Sequence, residues 1–361
     1  MITAGVGWTC RRVKAVRSVA FTTASLRGKD LVDAGLASWA RDILPRARAT
    51  LLQNGYVVMN NAVDPALARA LKAEIESLRS ELYANSTHVY VSGKKDPLLL
   101  EKDHIQEMEL LTVPPSHEHL KQWFDNSTIR KNLNAAIPTL HASHHMIKIQ
   151  FNEGDGGCFP MHFDSYGDDG KCVTAILYLN EDWVHGHGGE LELYPFPYAP
   201  VTIAPVFNRL VLFSSTQMLH RVLPATHPRY CLTTWLYKSP QTARATAPSR
   251  PADDAFDRMV QQLAVSPFRR HMAKLYYANE WKQSLVASHK PTHAFQAYLD
   301  SYHQDIAIIE AATLKMLSTF GKAKDADTTT FPTTTKAFLD RLQRNYQHQS
   351  PRNLLFIPWW Q

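Results

Sequence analysis

Cysteine is scarce: the chain has four, at no regular spacing. That excludes a disulfide-stapled scaffold and argues against a zinc finger. Long apolar runs are also absent. No stretch of 18 apolar residues occurs, so no segment is built to cross a bilayer as a helix. No internal repeat is visible. Acidic residues are missing from positions 1–29, although that head holds six of the 39 basic residues; beyond it, basic and acidic residues balance at 33 each. A neutral body argues against a nucleic-acid partner, which would want a basic face. The head is rich in Arg, Ser and Thr and lacks the apolar core of a secretory signal. Its composition is that of a mitochondrial presequence. Mitochondrial import is therefore the expectation for residues 1–29, with a disordered cytoplasmic extension as the alternative.

What the chain does have is histidine, 17 of them. Two open a His-x-Asp pair where chance gives about one when Asp is roughly one residue in twenty, so their surroundings must decide. His162 and Asp164 follow a strand-like run, residues 146–151, and a turn carrying Gly154, Gly156 and Gly157. On a strand, residues two apart point to one side. His303 and Asp305 lie among Tyr298, Ile306, Ile308 and Ile309 in a helix-like stretch. Residues two apart on a helix diverge by about 200° and cannot share a metal. His220 stands 56 residues after Asp164, and Arg229 nine after His220. Two imidazoles and one carboxylate from separate strands can hold one face of an Fe(II) ion and leave the other open. Arg229 adds a fixed positive fork suited to an acidic co-substrate.

Residues 173–179, 190–194, 209–214, 218–223 and 229–237 are short, rich in β-branched and aromatic side chains, and separated by turn residues. The spacing predicts an antiparallel sandwich or jelly roll and not a βαβ fold. The last two form a hairpin across residues 224–228. Alternation puts Arg229, Cys231, Thr233, Trp235 and Tyr237 on one face. If that face lines the barrel, Arg229 and Thr233 look into the cavity that His220 enters.

These residues sit in five ordered motifs: FNEGDGGCFPMHFDS (151–165), VTAILYLNEDW (173–183), GGELELYP (188–195), RLVLFSS (209–215) and LHRVLPATHPRYCLTTW (219–235). In this order and spacing the chain resembles the 2-oxoglutarate and Fe(II)-dependent dioxygenases, in their prolyl 4-hydroxylase-like branch. The likeness covers about residues 146–237. It implies that His162, Asp164 and His220 are the iron ligands and the catalytic centre. It implies that Arg229 pairs with the distal carboxylate of 2-oxoglutarate, that Tyr178 adds a hydroxyl to that carboxylate, and that Thr233 supplies a further polar contact. Fe(II), 2-oxoglutarate and O₂ follow as cofactor and co-substrates, with ascorbate as a possible reductant for the iron. The implied reaction converts 2-oxoglutarate to succinate and CO₂ and hydroxylates an unactivated C–H bond. Related halogenases have a small residue where Asp164 stands, so the carboxylate points to hydroxylation. Asn152 departs from the pattern: oxygen-sensing members place a Tyr there, beside the co-substrate.

The fold class expected is α+β: a double-stranded β-helix (jelly-roll) core flanked by N-terminal helices and a C-terminal helical extension. Its parts are residues 1–29 (basic head), 30–145 (helices and strands supporting the barrel), 146–238 (core), 239–252 (a linker with Pro240, Pro248 and Pro251) and 253–361 (helical extension). Upstream, residues 55–64 read as a strand and 65–83 as a helix. Downstream, 253–265, 267–286 and 292–320 read as helices, 321–335 as a low-complexity loop, and the stretch to about 346 as a short helix. The tail, with Phe356, Ile357, Trp359 and Trp360, is expected to dock on the body or on a partner, because bare aromatics are costly in water. Residues 85–112 are a candidate cover for the cavity. His185 and His187 read as a solvated loop, His141, His144 and His145 as surface, and Cys158 and Cys172 as buried structural thiols.

Peptidyl proline is the leading substrate. A small-molecule hydroxylase of the same chemistry is the alternative, and a non-catalytic jelly-roll binding module the reading from another class. Protein, peptide or small-molecule partners are expected, without nucleic acid or a membrane span; the C-terminal helices offer a route to a homo-oligomer.

Overall fold

Two antiparallel sheets enclose the candidate residues. The computed structural model describes residue 41 and residues 44–89, 91, 95–238, 255–322, 331–347 and 355–360; the basic head and the linker expected at 239–252 lie outside them. The chain enters through α1 (Leu44–Asn54), β1 (Tyr56–Asn60) and α2 (Pro65–Ser77). A hairpin of β2 (Tyr83–Val89) and β3 (Leu98–Leu110) comes next, then α3 (Glu118–Asp125) and α4 (Thr128–Ala136). Eight strands follow: β4 (Ala142–Asn152), β5 (Gly157–His162), β6 (Lys171–Tyr178), β7 (Leu191–Tyr194), β8 (Val201–Ile203), β9 (Arg209–Ser214), β10 (Leu219–Ala225) and β11 (Arg229–Lys238). The chain then turns helical, with α5 (Ala255–Val265), α6 (Phe268–Tyr276), α7 (Ala278–Ser288), α8 (His293–Gly321) and α9 (Thr335–Tyr346). One sheet runs β1-β9-β6-β11-β4-β3-β2 and the other β5-β10-β7-β8. This is the expected jelly roll, with β1 added at one edge and the β2–β3 hairpin at the other.

Burial explains which strands were easy to read. In β6 every residue after Lys171 is buried: the strand lies in mid-sheet between β9 and β11, and Thr174 and Ile176 line the cavity. On β11, Thr234 points outward and accepts the Trp123 indole N–H from α3 at 3.3 Å. Arg229, Cys231, Thr233 and Trp235 point inward and line a cavity. The inward face of β11 thus follows the alternation in the sequence as far as Trp235; Tyr237 instead stacks on His144 at 4.9 Å.

Two expected helices are interrupted. α2 ends at Ser77, a 3-10 turn spans Arg79–Glu81, and Tyr83 starts β2. Here the edge of the large sheet captures a stretch whose local pattern is helical. The helix expected at 267–286 is two helices hinged at Tyr277. The break lets α7 turn against β5, an edge strand of its sheet. There the Ser284 hydroxyl accepts the buried Met161 N–H at 2.9 Å. An open edge next to His162 is thereby closed by a helix.

His289, just past α7, is buried, and burial pushes its imidazole down to about 4 against the pull of the Leu285 carbonyl. An unfolded imidazole titrates near 6.5. Between those values the unfolded chain binds the extra proton, so the stability contributed by this group is full above about pH 6.5 and is lost as pH falls toward 4. Replacing His289 with Gln should flatten the acid-side fall of the thermal midpoint over that window. An unaltered slope would assign the fall to other groups.

The aromatic tail docks on the body. Trp359 donates its indole N–H to the Gln53 carbonyl at 3.0 Å, and Trp360 donates to Leu51 at 2.9 Å. Gly55 has φ +74°, and a Cβ there would lie 2.3 Å from the Trp359 ring, so only glycine permits this contact. Arg269 on α6 lies over the same ring at 4.8 Å and donates to the Phe196 and Gln217 carbonyls.

Candidate active site

β5 and β10 are neighbours, and their register sets His162 directly opposite His220. The ring centroids are 4.2 Å apart. Each imidazole turns Nδ1 away, toward a backbone carbonyl two residues back: Pro160 at 2.7 Å and Met218 at 3.1 Å. A donor bond there fixes the tautomer and leaves Nε2 with a free lone pair. Both Nε2 atoms face Asp164 Oδ1, at 3.6 Å and 3.8 Å. The three candidate ligand atoms lie within 4.8 Å of one another, and no other trio of His, Cys, Asp or Glu converges this way among the described residues.

Asp164 lies just past the end of β5. Its second oxygen accepts the Thr174 hydroxyl from β6 and the Trp235 indole N–H from β11 at 3.3 Å. The carboxylate is therefore aimed by the large sheet and the imidazoles by the small one, so the site forms only where the sheets meet. Burial alone would raise the Asp164 carboxyl, but His220, His162 and the Thr174 hydroxyl outweigh it and hold it well below the ordinary carboxylate range. Burial pushes the His220 imidazole down to about 4, with His162 adding to the effect against the pull of Asp164. At neutral pH this leaves an ionised carboxylate beside an uncharged His220. Those are the forms a divalent ion takes as ligands.

The trio lines a cavity of about 480 Å³. Arg229 is on its wall, and its guanidinium lies over the Tyr178 ring at 4.9 Å. Burial pushes the Tyr178 hydroxyl up to about 12, so it keeps its proton. Neither that hydroxyl nor Arg229 Nε has a hydrogen-bond partner, and both are buried. Buried polar atoms are nearly always satisfied, so two adjacent unsatisfied donors fit an anionic guest. A Cβ on Gly189 would come within 2.9 Å of Arg229 Cδ, which gives the Gly-Gly of the third motif a role in seating this side chain.

Thr233 also lines the cavity, but its hydroxyl donates to Gln150 Oε1 at 3.0 Å. Gln150 and Lys148 are cavity residues that the sequence reading did not single out. Their signal was present: in β4, polar Lys148, Gln150 and Asn152 alternate with Ile147, Ile149 and Phe151. Thr174, a lone hydroxyl in an apolar run, was missed as well. Asn152 does not reach the co-substrate end of the cavity. It donates to the Gly157 carbonyl at 2.7 Å and accepts from Gly154 at 3.0 Å, holding the glycine turn before β5. The second His-x-Asp pair lies on α8, where Asp305 accepts from Lys274. His185 is exposed and His187 stacks on His227 at 3.6 Å, outside the cavity. Burial pushes Cys158 up to about 11 and Cys172 up to about 12, which keeps both as thiols.

Residues 146–237 match the 2OG-Fe(II) oxygenase superfamily. The span contains the histidine–aspartate trio, Tyr178 and Arg229. Over that span, about a quarter of its length, the chain resembles members of that superfamily. Over 95 residues it is 40% identical to Egl nine homolog 1 of Homo sapiens, a match spanning 26% of this chain and 22% of that protein. It is 35% identical over 228 residues to a hypoxia-inducible factor prolyl hydroxylase of Caenorhabditis elegans, spanning 57% of this chain and 30% of that one. The chain thus covers less than a third of either relative's length. A solved prolyl 4-hydroxylase from Phytophthora capsici superposes with a TM-score of 0.64 at 27% identity, covering 88% of this chain and 100% of that one. A match that wide takes in far more than the oxygenase segment. Members of the superfamily use Fe(II), 2-oxoglutarate and O₂. No helix among the described residues is long and apolar enough to cross a membrane.

Proposed function

We propose that this protein is a 2-oxoglutarate- and Fe(II)-dependent dioxygenase that hydroxylates an unactivated C–H bond, with a peptidyl proline as leading substrate. One observation carries the reading: the trio and Arg229 line one walled cavity, and Arg229 lies against Tyr178 with Nε and the Tyr178 hydroxyl both unsatisfied. His162, Asp164 and His220 hold Fe(II) from one side. Arg229 takes the distal carboxylate of 2-oxoglutarate with a charge-assisted bond, and Tyr178 donates its hydroxyl to the same group. Thr174 and Trp235 keep Asp164 aimed. Ile176, Leu191 and Val222 line the cavity with apolar surface that excludes water. When bound, Fe(II), 2-oxoglutarate and O₂ supply the oxidation, with one oxygen atom entering the substrate as a hydroxyl and the other entering succinate as CO₂ leaves.

Peptidyl proline is favoured because two of the three relatives above are prolyl hydroxylases by name. Room for a chain supports it: Tyr166 borders the cavity and also a second cleft of about 780 Å³. That larger cleft holds none of the trio. A small-molecule substrate is the second reading, since Trp281, Leu285 and Tyr298 from the helical extension wall the cavity. The deciding experiment is anaerobic reconstitution with Fe(II) and 2-oxoglutarate, then admission of oxygen with proline peptides or small carboxylic acids. Succinate release with a gain of one oxygen atom on the peptide is expected. No succinate under any condition would sink the enzyme reading.

Three narrower parts belong to the same proposal. Ascorbate as iron reductant rests on the family resemblance, and an unchanged turnover number with and without it would remove that part. Mitochondrial import rests on the composition of residues 1–29, and a diffuse cytoplasmic signal from a fluorescent fusion would remove it. Self-association through the C-terminal helices is supported by exposed Ile308 and Leu314 on α8, and a monomer's mass in light scattering would end it.

A further inference from the structure

The cavity wall opposite the usual site residues carries an unbalanced cation. Lys102 on β3 lines the cavity, with its ammonium 5.7 Å above the Phe159 ring. It donates to Asn85 Oδ1 at 2.6 Å and to Thr87 Oγ1 at 3.1 Å. Both acceptors are neutral, and an ammonium has three donors. No carboxylate pairs with it among the described residues. Its sequence neighbours Glu101 and Asp103 face outward, to Lys290 at 3.2 Å and 3.7 Å. The nearest inward acid, Glu107, is already engaged by Lys148 at 2.9 Å and by the Asn85 amide.

The other cations of the cavity have work. Lys148 has Glu107; Lys171 has Asp169 at 3.7 Å and the Asp164 carbonyl at 3.2 Å; Arg229 has the co-substrate end. Lys148 also reaches Glu109 at 3.5 Å, so among the lining cations Lys102 is left with neither a carboxylate nor the co-substrate to face. A ferrous ion and doubly ionised 2-oxoglutarate cancel each other, so loading the site brings no counter-charge to Lys102. Burial pushes the Lys102 ammonium down to about 8, against the pull of Glu107. A cation drawn out of water without a counter-charge is costly. The wall that holds it is nonetheless anchored, since Lys102 forms a backbone bridge to His289 beyond α7.

Resting on the oxygenase reading above, we propose that Lys102 receives a carboxylate carried by the substrate, so that the preferred target is an acidic peptide with Asp or Glu close to the hydroxylated residue. A neutral peptide leaves the ammonium without its partner, and a site built around a buried polar group discriminates strongly against a ligand that lacks the complement.

The test uses the full chain loaded with Fe(II) and 2-oxoglutarate under nitrogen. It is titrated with paired proline peptides that differ only in Glu against Gln, scanned through the positions flanking the proline. Quenching of the cavity tryptophans Trp235 and Trp281 reports binding without turnover. The best Glu peptide is expected to bind about tenfold or more tightly than its Gln twin. Lys102→Met should erase that difference by weakening the Glu peptide alone, and Lys102→Arg should retain most of it. Equal binding of every pair by the wild-type protein, no binding of any peptide, or equal weakening of both twins by Lys102→Met overturns the proposal. A Lys102-dependent preference for N-acetylproline over its amide, without one among the peptides, overturns the acidic-peptide assignment in favour of a small carboxylate. Succinate release by the same wild-type preparation in air is scored separately: succinate without a carboxylate preference removes this subsite and leaves the oxygenase reading standing.

Discussion

Asp164→Ala is expected to abolish 2-oxoglutarate-dependent succinate formation while the protein stays folded. The carboxylate is the only negative group in the trio, and it faces both imidazole Nε2 atoms at under 4 Å. Without it, two neutral imidazoles would have to hold a divalent ion in a buried site. Loss of the carboxylate also strands the Trp235 indole N–H, at a cost of about 1–3 kcal/mol for a buried group left unpaired, while the Thr174 hydroxyl keeps its bond to Ser215 at 2.8 Å. That cost is partly offset because a buried charge disappears with it. The variant should therefore melt only modestly below the wild type, and Fe(II) should no longer raise its melting temperature. Succinate formation at the wild-type rate would remove Asp164 from the metal.

Arg229→Ala should raise the 2-oxoglutarate concentration needed for half-maximal turnover by about tenfold or more, since a hydrogen bond to a charged group contributes about 1.5–3 kcal/mol. The residue is buried, lies against Tyr178, and passes a glycine that gives it room. Tyr178 can still donate its hydroxyl in the variant, so binding weakens and is not lost. The effect should fall on the co-substrate requirement and leave peptide affinity in place, because no other group in the cavity would need to move. Initial rates across a 2-oxoglutarate series read it directly, and an unchanged requirement would assign the carboxylate to another cation.

The readable part of this chain was the part where one side-chain period held over a whole element. β11 alternates inward and outward from Arg229 to Trp235, and His162 and Asp164 sit at strand spacing behind a glycine turn. The hairpin of β2 and β3 was not readable as strands. Tyr83–Val89 carries Asn, Ser, Thr and His with a single buried residue, and Leu98–Leu110 is interrupted by charges. Asn85, Thr87, Lys102 and Glu107 of this hairpin line the cavity, where Asn85, Glu107 and Lys148 satisfy one another. A strand that lines the polar side of a cavity lacks the apolar face on which pattern reading depends. The break at Tyr277 was hidden for the opposite reason: both halves are good helix, and only the edge of β5 requires the turn. Asn152 misled because a polar residue at the end of a core strand can serve a ligand or a turn, and its hydrogen bonds to Gly154 and Gly157 decide for the turn.

The docking of Trp359 and Trp360 joins residues 306 and 309 positions apart. During synthesis the strands of the barrel emerge from the ribosome well before these two tryptophans do. The groove beside Gly55 must wait, with the Gln53 carbonyl without its indole donor and the Leu51 carbonyl held by the Gly55 N–H alone. Closing so long a loop is slow relative to local pairing. The barrel can therefore assemble as the chain is made, with its first helix held by β1 and by the Arg48 bond to the Ala136 carbonyl, while the groove beside Gly55 is covered only after translation has passed both tryptophans, an interval in which chaperones have apolar surface to hold.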